Sequence, residues 1–154
     1  LEVTTTRDIA RQLLRHRSFS FQEFSQRYAD PTQDLQFQLK DARLQDTHNR
    51  QNSLDVNDAD LQLEWLQQQA EVVNAAKKSY NWAIENNIAK EQARAVLPEG
   101  IMESRLYVNG TIRSWIHYIG LRSGHGTQKE HIELARSCAE SLESVFPMIK
   151  EFCN

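Results

Sequence analysis

Two cysteines, five glycines and three prolines in 154 residues leave this chain with few of the devices that staple or punctuate a small fold. Cys138 and Cys153 lack CxxC spacing, and two thiols in a domain of this size make no disulfide framework. A reducing, intracellular and cytoplasmic setting follows as the expectation. No apolar run nears the roughly 20 residues of a membrane span, and no signal-peptide pattern opens the chain, so no membrane partner is expected. Glycine-rich phosphate loops of the dinucleotide or P-loop type are absent, which removes support for a Rossmann-style cofactor site. There is no surplus of positive charge either. The net charge of −3 withholds the broad attraction that nucleic acid or anionic lipid requires, so no nucleic-acid partner is expected. The five histidines make no metal signature: His125 and His131 stand six apart without assisting cysteines, and no metal is expected.

What is present is an ordinary globular composition, 40% hydrophobic and 25% charged, in a chain long enough for one domain with a proper core. The charge is unevenly spread. Residues 7 to 27 hold Arg7, Arg11, Arg15, Arg17 and Arg27 against Asp8 and Glu23, whereas residues 30 to 60 carry seven aspartates. Arginine supplies 12 of the 18 basic residues, which leans toward recognition of planar or phosphate groups. The densest stretch is Arg15-His16-Arg17, followed after seven residues by Ser25, with Glu23, Gln26, Arg27 and Tyr28 alongside. Guanidinium forks meet phosphate oxygens two at a time, so a phosphorylated small molecule is the first ligand to consider. Cations at a helix end also satisfy the helix dipole without binding anything. All three side chains of the triplet can serve one site only if the helix stops there, because successive helical residues diverge by about 100°.

Periodicity predicts an α+β fold, a single domain with a mixed or antiparallel sheet packed against helices and one long central helix. Leu1 to Thr4 reads as a strand that needs a pairing partner. Thr6 is placed to cap a helix through its hydroxyl, with Ile9, Ala10, Leu13 and Leu14 inside and an end near Arg15. Phe19, Phe21 and Phe24 alternate with polar residues on an extended segment. Residues 29 to 57 are the least regular, with a short strand over Leu35 to Leu39 and a polar loop from Asp46 to Asn57. A long half-buried helix runs from Asp58 to Glu85, and a second covers Ala89 to Val96. Arg105 to Val108 is predicted as a strand, followed by a turn at Asn109-Gly110. The next helix has Ile112, Trp115, Ile116 and Ile119 inside and ends at Ser123-Gly124-His125-Gly126. A last helix covers Lys129 to Val145.

Arg94 beside Glu91 reads by itself as an exposed ion pair. Arg113 and His117 share a helical face, and Arg122 stands at that helix's end, where a solvated face explains them nearly as well. Ser25 lacks a nucleophile elbow, so phosphate or backbone hydrogen bonding suits it better than covalent catalysis.

Taken together, these blocks resemble the flavin-dependent thymidylate synthases, the ThyX family. Arg15-His16-Arg17-x7-Ser25 matches that family's defining motif in full. Further likeness lies in Arg11-Gln12-Leu13-Leu14, Gln26-Arg27-Tyr28, Glu91 to Pro98, and Gly110 to Tyr118 leading to Leu121-Arg122. The resemblance implies a bound FAD, with NADPH and methylenetetrahydrofolate as co-substrates, in the methylation of dUMP to dTMP. It implies Gln12, Arg15, Glu23, Ser25, Gln26, Arg27, Arg94 and Arg122 around dUMP. Around FAD it implies Arg15, His16, Arg17, Glu23, Thr111, Arg113 and His117. The resemblance makes Arg122 the catalytic residue of the set, a fixed cation against the uracil ring that would raise the reactivity of C5. The family assembles as a homotetramer with sites shared between subunits. Residues 1–154 would then be the catalytic domain without an N-terminal segment that family members carry. The alternative is a catalytically idle nucleotide-binding fragment that does not retain flavin.

Overall fold

A computed structural model of the chain describes residues 1–124 and 126–152. Strand β1 (Glu2–Thr6) runs into helix α1 (Arg7–Leu13), which crosses to β2 (Ser20–Glu23). Both strands lie antiparallel to β5 (Glu103–Asn109), which sits between them in a three-stranded sheet of order β1-β5-β2. The partner that the opening strand needs therefore comes from the same chain, with Glu2 opposite Tyr107 and Thr6 opposite Glu103. Because β1 and β2 flank β5, α1 is a crossover, and Arg15-His16-Arg17 falls where the chain leaves that helix to rejoin the sheet.

The sheet buries one face. Ser104, Leu106 and Val108 of β5 are buried, and Tyr107 between them is exposed, as the two-residue period of a strand requires. Against the buried side pack α5 (Ile112–Arg122) and α6 (Lys129–Glu143), joined in one core by Leu13, Phe19, Trp115, Tyr118, Ala135 and Leu142. The thiol of Cys138 belongs to this core, and burial pushes its pKa up to about 12, so it is inert as a nucleophile. His125 and Cys153, which carried part of the metal and disulfide reasoning, lie outside the described residues.

The turn at Asn109-Gly110 is set by an aromatic side chain. A Cβ at Gly110 would run into the ring of Phe19, itself packed 4.5 Å from Trp115 and 5.7 Å from Tyr118, centroid to centroid. That ring cannot retreat without disturbing its neighbours. Gly110→Ala is expected to destabilise the fold by about 1–3 kcal/mol, the usual cost of overpacking. Chemical denaturation of wild type and variant checks this, and equal midpoints would show that Phe19 yields freely.

Helix α3 (Ala59–Glu85) is the long helix the sequence predicts. Asp58 caps it by accepting from the N–H groups of Asp60 and Leu61, and Asn87, at φ 58°, turns the chain away at its end. Val73, Ala76, Tyr80 and Ala83 are buried, whereas Leu66 and Ala70 are only partly covered. A second cluster of Tyr80, Ala83, Ala93 and Leu97 holds this helix to α4 (Lys90–Ala93) and the 3-10 turn Arg94–Val96. The predicted helix over Ala89 to Val96 thus splits into two shorter pieces.

Within residues 29 to 57 the structure adds order that composition hides. A single turn of helix, α2 (Pro31–Asp34), is capped by Asp30. Over Leu35 to Leu39 there is a lone bridge, Phe37 to Met102, in place of the expected strand. A hairpin of β3 (Arg43–Gln45) and β4 (Ser53–Asp55) replaces part of the predicted loop. The segment before β3 is pinned by two glutamines seven apart on α3. Gln69 exchanges both its amide hydrogen bonds with the backbone of Lys40, and Gln62 does the same with Ala42. Two further sequence expectations need correction. Thr6 makes no side-chain cap; its hydroxyl donates to the Asp8 carboxylate. Ile112 is 38% exposed, because it stands in the first turn of α5, while Tyr118 is fully buried on the packed face.

Candidate functional site

The end of α1 and the end of α5 meet. Arg122 Nε donates to His16 Nε2 at 3.0 Å, joining residues 106 positions apart. For that bond the imidazole must present a bare nitrogen, so His16 is neutral here, with its proton on Nδ1. Burial pulls its pKa down, and the charges of Arg122 and His117 add to the effect. The His16 ring also stands edge-on to Tyr118 at 4.9 Å and 89°. His117 is exposed on α5 close by, and Arg113 is exposed one turn earlier. Thr111 caps α5, its oxygen accepting from the N–H of Ser114 at 3.2 Å. Arg15 and Arg17 are exposed where α1 has ended, which meets the geometric condition set by the triplet.

Among the described residues, Arg15, Arg17, Arg113 and Arg122 make no ion pair with a carboxylate. Among the described residues Arg122 uses only its Nε, which leaves both terminal nitrogens of the fork without a partner there.

Gln12, one turn before the triplet, looks toward α6. Its Nε2 donates to Gln128 Oε1 at 3.0 Å, and its Oε1 lies 3.3 Å from His131 Nδ1. His131 is fully buried, and its Nε2 lies 3.1 Å from the Tyr118 hydroxyl. Desolvation lowers its pKa to about 4, with help from Arg122 and His16, so it is neutral at physiological pH. Burial raises the pKa of Tyr118, which keeps its hydroxyl protonated. Neither His131 nor Tyr118 stood out in the sequence. A histidine flanked by Glu130 and Ile132 carries no local sign of burial, and the signal available was only the helical spacing to Ala135 and Cys138.

The remaining candidates gather elsewhere. Glu23 receives Arg7 at 3.2 Å and Ser104 at 2.7 Å, both on Oε1, so its second oxygen stays available. Ser25 opens a turn, its carbonyl accepting from the N–H groups of Tyr28 and Ala29. Gln26 is buried, and its Nε2 has no hydrogen-bond partner among the described residues. A cleft of about 440 Å³ lies here, lined by Arg7, Arg11, Gln26, Glu91, Arg94 and Glu99. The expected ion pair of Arg94 with Glu91 is not formed. Arg94 Nε donates to the Glu91 carbonyl, and the Glu91 carboxylate faces Arg27 at 3.8 Å. Sequence reasoning passed over Arg7 and Arg11 as site residues. The structure therefore gathers Gln12, His16, His117 and Arg122 in one group, with Gln26, Arg27 and Arg94 in another.

Among the described residues no set of three His, Cys, Asp or Glu side chains is arranged to hold a metal ion. No helix there is long and apolar enough to cross a membrane.

The molecule is an α+β domain in which a helix crossover brings His16 against Arg122 at the end of a second helix, and Arg122 has no carboxylate partner among the described residues, a class of site suited to anionic, planar ligands. A family model described as "Thymidylate synthase complementing protein" matches residues 1–148. The chain is 50% identical over 149 residues to a probable flavin-dependent thymidylate synthase of Paramecium bursaria Chlorella virus 1, spanning 97% of this chain and 68% of that protein. It is 47% identical to the flavin-dependent thymidylate synthase of a Synechocystis strain, spanning 97% of this chain and 67% of that one. The solved structure of a UMP/dUMP methylase, PolB from Streptomyces cacaoi, bound with 5-Br dUMP, superposes with a TM-score of 0.82 at 24% identity. That likeness covers 98% of this chain and 68% of that one, and it bears on the fold. The chain belongs to the Thy1 family of thymidylate synthase complementing proteins.

Proposed function

We propose that this chain is the catalytic domain of a flavin-dependent thymidylate synthase, which methylates dUMP to dTMP with methylenetetrahydrofolate as carbon donor and NADPH as reductant. The observation that carries this reading is the bond from Arg122 to His16, which puts the free fork of Arg122 beside the arginine triplet without a carboxylate to neutralise it. The names of the relatives support the flavin and the product, and the family match over residues 1–148 favours the enzyme over an idle nucleotide-binding fragment.

The donor set fits FAD. Arg17, Arg113 and His117 are exposed, and the two arginines are without acidic partners among the described residues, which suits a diphosphate and the polar edge of a flavin. The Thr111 oxygen accepts from the Ser114 N–H and also lies 3.0 Å from the Ser114 hydroxyl, so its O–H is free for a ligand when Ser114 is the donor of that pair. When bound, the flavin supplies the hydride chemistry. The protein's own work is positioning and charge. Arg122 would hold the pyrimidine with a fixed cation, stabilising negative charge that develops on the ring and activating C5. Gln12 and Arg15 would hold the nucleotide from the same side, with Ser25 as a hydrogen-bonding contact.

Glu23, Gln26, Arg27 and Arg94 would complete the nucleotide site from a neighbouring subunit of a homotetramer. The buried, unpartnered amide of Gln26 supports that arrangement, since such a group costs about 1–3 kcal/mol unless something reaches it. The test is a product assay. Flavin-loaded protein given dUMP, methylenetetrahydrofolate and NADPH should form dTMP, and folded, flavin-loaded protein that forms none would defeat the reading. Arg17→Ala is expected to lower flavin content after purification without changing the fold. An unchanged ratio of flavin to protein absorbance would remove Arg17 from the cofactor set.

A further inference from the structure

A polar chain with one direction runs through the core behind Gln12. It starts at Arg43, which is ion-paired with Glu130, both groups largely shielded from water. Burial opposes ionisation of Glu130, but its own backbone N–H, Arg43 and the neighbouring Gln128 outweigh it and hold the carboxylate charged. Glu130 Oε2 is buried without a hydrogen-bond partner among the described residues, and Gln128 acts on the carboxylate as a nearby donor that lowers its pKa. A carboxylate only accepts, so the end of Gln128 that faces it is the NH2 group. The carbonyl end of Gln128 points at Gln12 and accepts a hydrogen bond from Gln12 Nε2. This leaves Gln12 Oε1 facing His131, which must offer Nδ1–H. His131 Nε2 is consequently an acceptor, and the Tyr118 hydroxyl, kept protonated by burial, donates to it. From the Gln12–Gln128 bond onward, each link follows from the previous one.

We propose that His131 is a positioning residue, which fixes the side-chain amide of Gln12 in a single orientation so that a uridylate meets a preset donor and acceptor. The inference rests on the reading above that Gln12 touches the nucleotide. An amide that can flip by 180° presents N–H and C=O with nearly equal ease. The chain removes that choice: Gln12 keeps one amide N–H and one carbonyl lone pair for a ligand, and each has its place. His131 acts through Gln12 and does not itself reach the substrate, because it is fully buried.

The test is the affinity of the purified protein for dUMP, measured by calorimetry, in a double-mutant cycle. Gln12→Ala and His131→Leu should each weaken binding roughly tenfold, about the worth of one hydrogen bond to a ligand. The double variant should bind no worse than Gln12→Ala alone, since His131 has nothing left to orient. His131→Asn, whose amide can still donate near the position of Nδ1, should recover most of the loss. If His131→Leu does not fold, Tyr118→Phe takes its place in the cycle, because it removes only the hydroxyl that holds His131 at Nε2. Wild-type affinity in His131→Leu, or a loss that persists undiminished on the Gln12→Ala background, would overturn the proposal. Failure of the functional reading has a different signature, namely wild-type protein that does not bind dUMP at all.

Discussion

Arg122→Ala is expected to reduce dTMP formation by about two to three orders of magnitude while the protein keeps its flavin and its fold. The magnitude is that of a preorganised donor facing charge that develops in the transition state. The geometry explains the selectivity. Arg122 closes α5 and is only partly exposed, with its Nε committed to His16 and no carboxylate partner among the described residues. Its remaining N–H groups therefore have no structural task. Loss of the side chain leaves the His16 nitrogen without its donor, a modest cost at a group that water can reach. Arg122→Lys restores the charge but neither the Nε bond nor the planar fork, so it should recover only a small part of the rate. Steady-state rates together with flavin absorbance decide the matter. Full turnover in Arg122→Ala would remove the proposed role, and loss of flavin in that variant would make Arg122 a cofactor ligand instead.

A second large effect is expected on stability as pH falls. His131 has a folded-state pKa of about 4 against an ordinary value near 6.5. The unfolded chain thus takes up a proton there before the folded one does. Stability from this group is complete above about pH 6.5 and is lost as pH falls toward 4. Each pH unit in that window corresponds to about 1.4 kcal/mol, so roughly 2 kcal/mol should disappear between pH 7.5 and 5. His16, also shifted downward, acts with the same sign. Asp8 and Glu130 have lowered pKa values, and their contributions are lost only at more acidic pH, below the ordinary carboxylate range. Denaturant titrations at the two pH values measure the difference. The loss should shrink clearly in His131→Asn, which does not titrate, and an equal loss in that variant would assign the effect to other groups.

Features governed by neighbouring residues were legible in the sequence. Asp58 followed by a periodic run gave the start of α3, and Asn109-Gly110 gave the end of β5 and the start of the next helix. The segment from residue 29 to 57 was not legible, because its order depends on partners far along the chain. The backbone of Lys40 and Ala42 is held in place by Gln69 and Gln62, and those glutamines look like any polar residues of a helix surface. The functional region divides in the same way. The triplet and Ser25 were visible as a motif, yet the contact between His16 and Arg122 bridges 106 positions and no local pattern encodes it. Tyr118 and His131 were invisible for a related reason: each is a polar-tipped ring that becomes part of the core only because the other supplies its hydrogen bond.

The most direct measurement is the visible spectrum of the purified protein during titration with dUMP. A yellow protein whose flavin bands shift saturably as the nucleotide enters, with the shift weakened in Arg122→Ala, is the predicted result. Colourless protein, or flavin bands that dUMP leaves unmoved at every concentration, would contradict a site in which these arginines hold a uridylate against the cofactor.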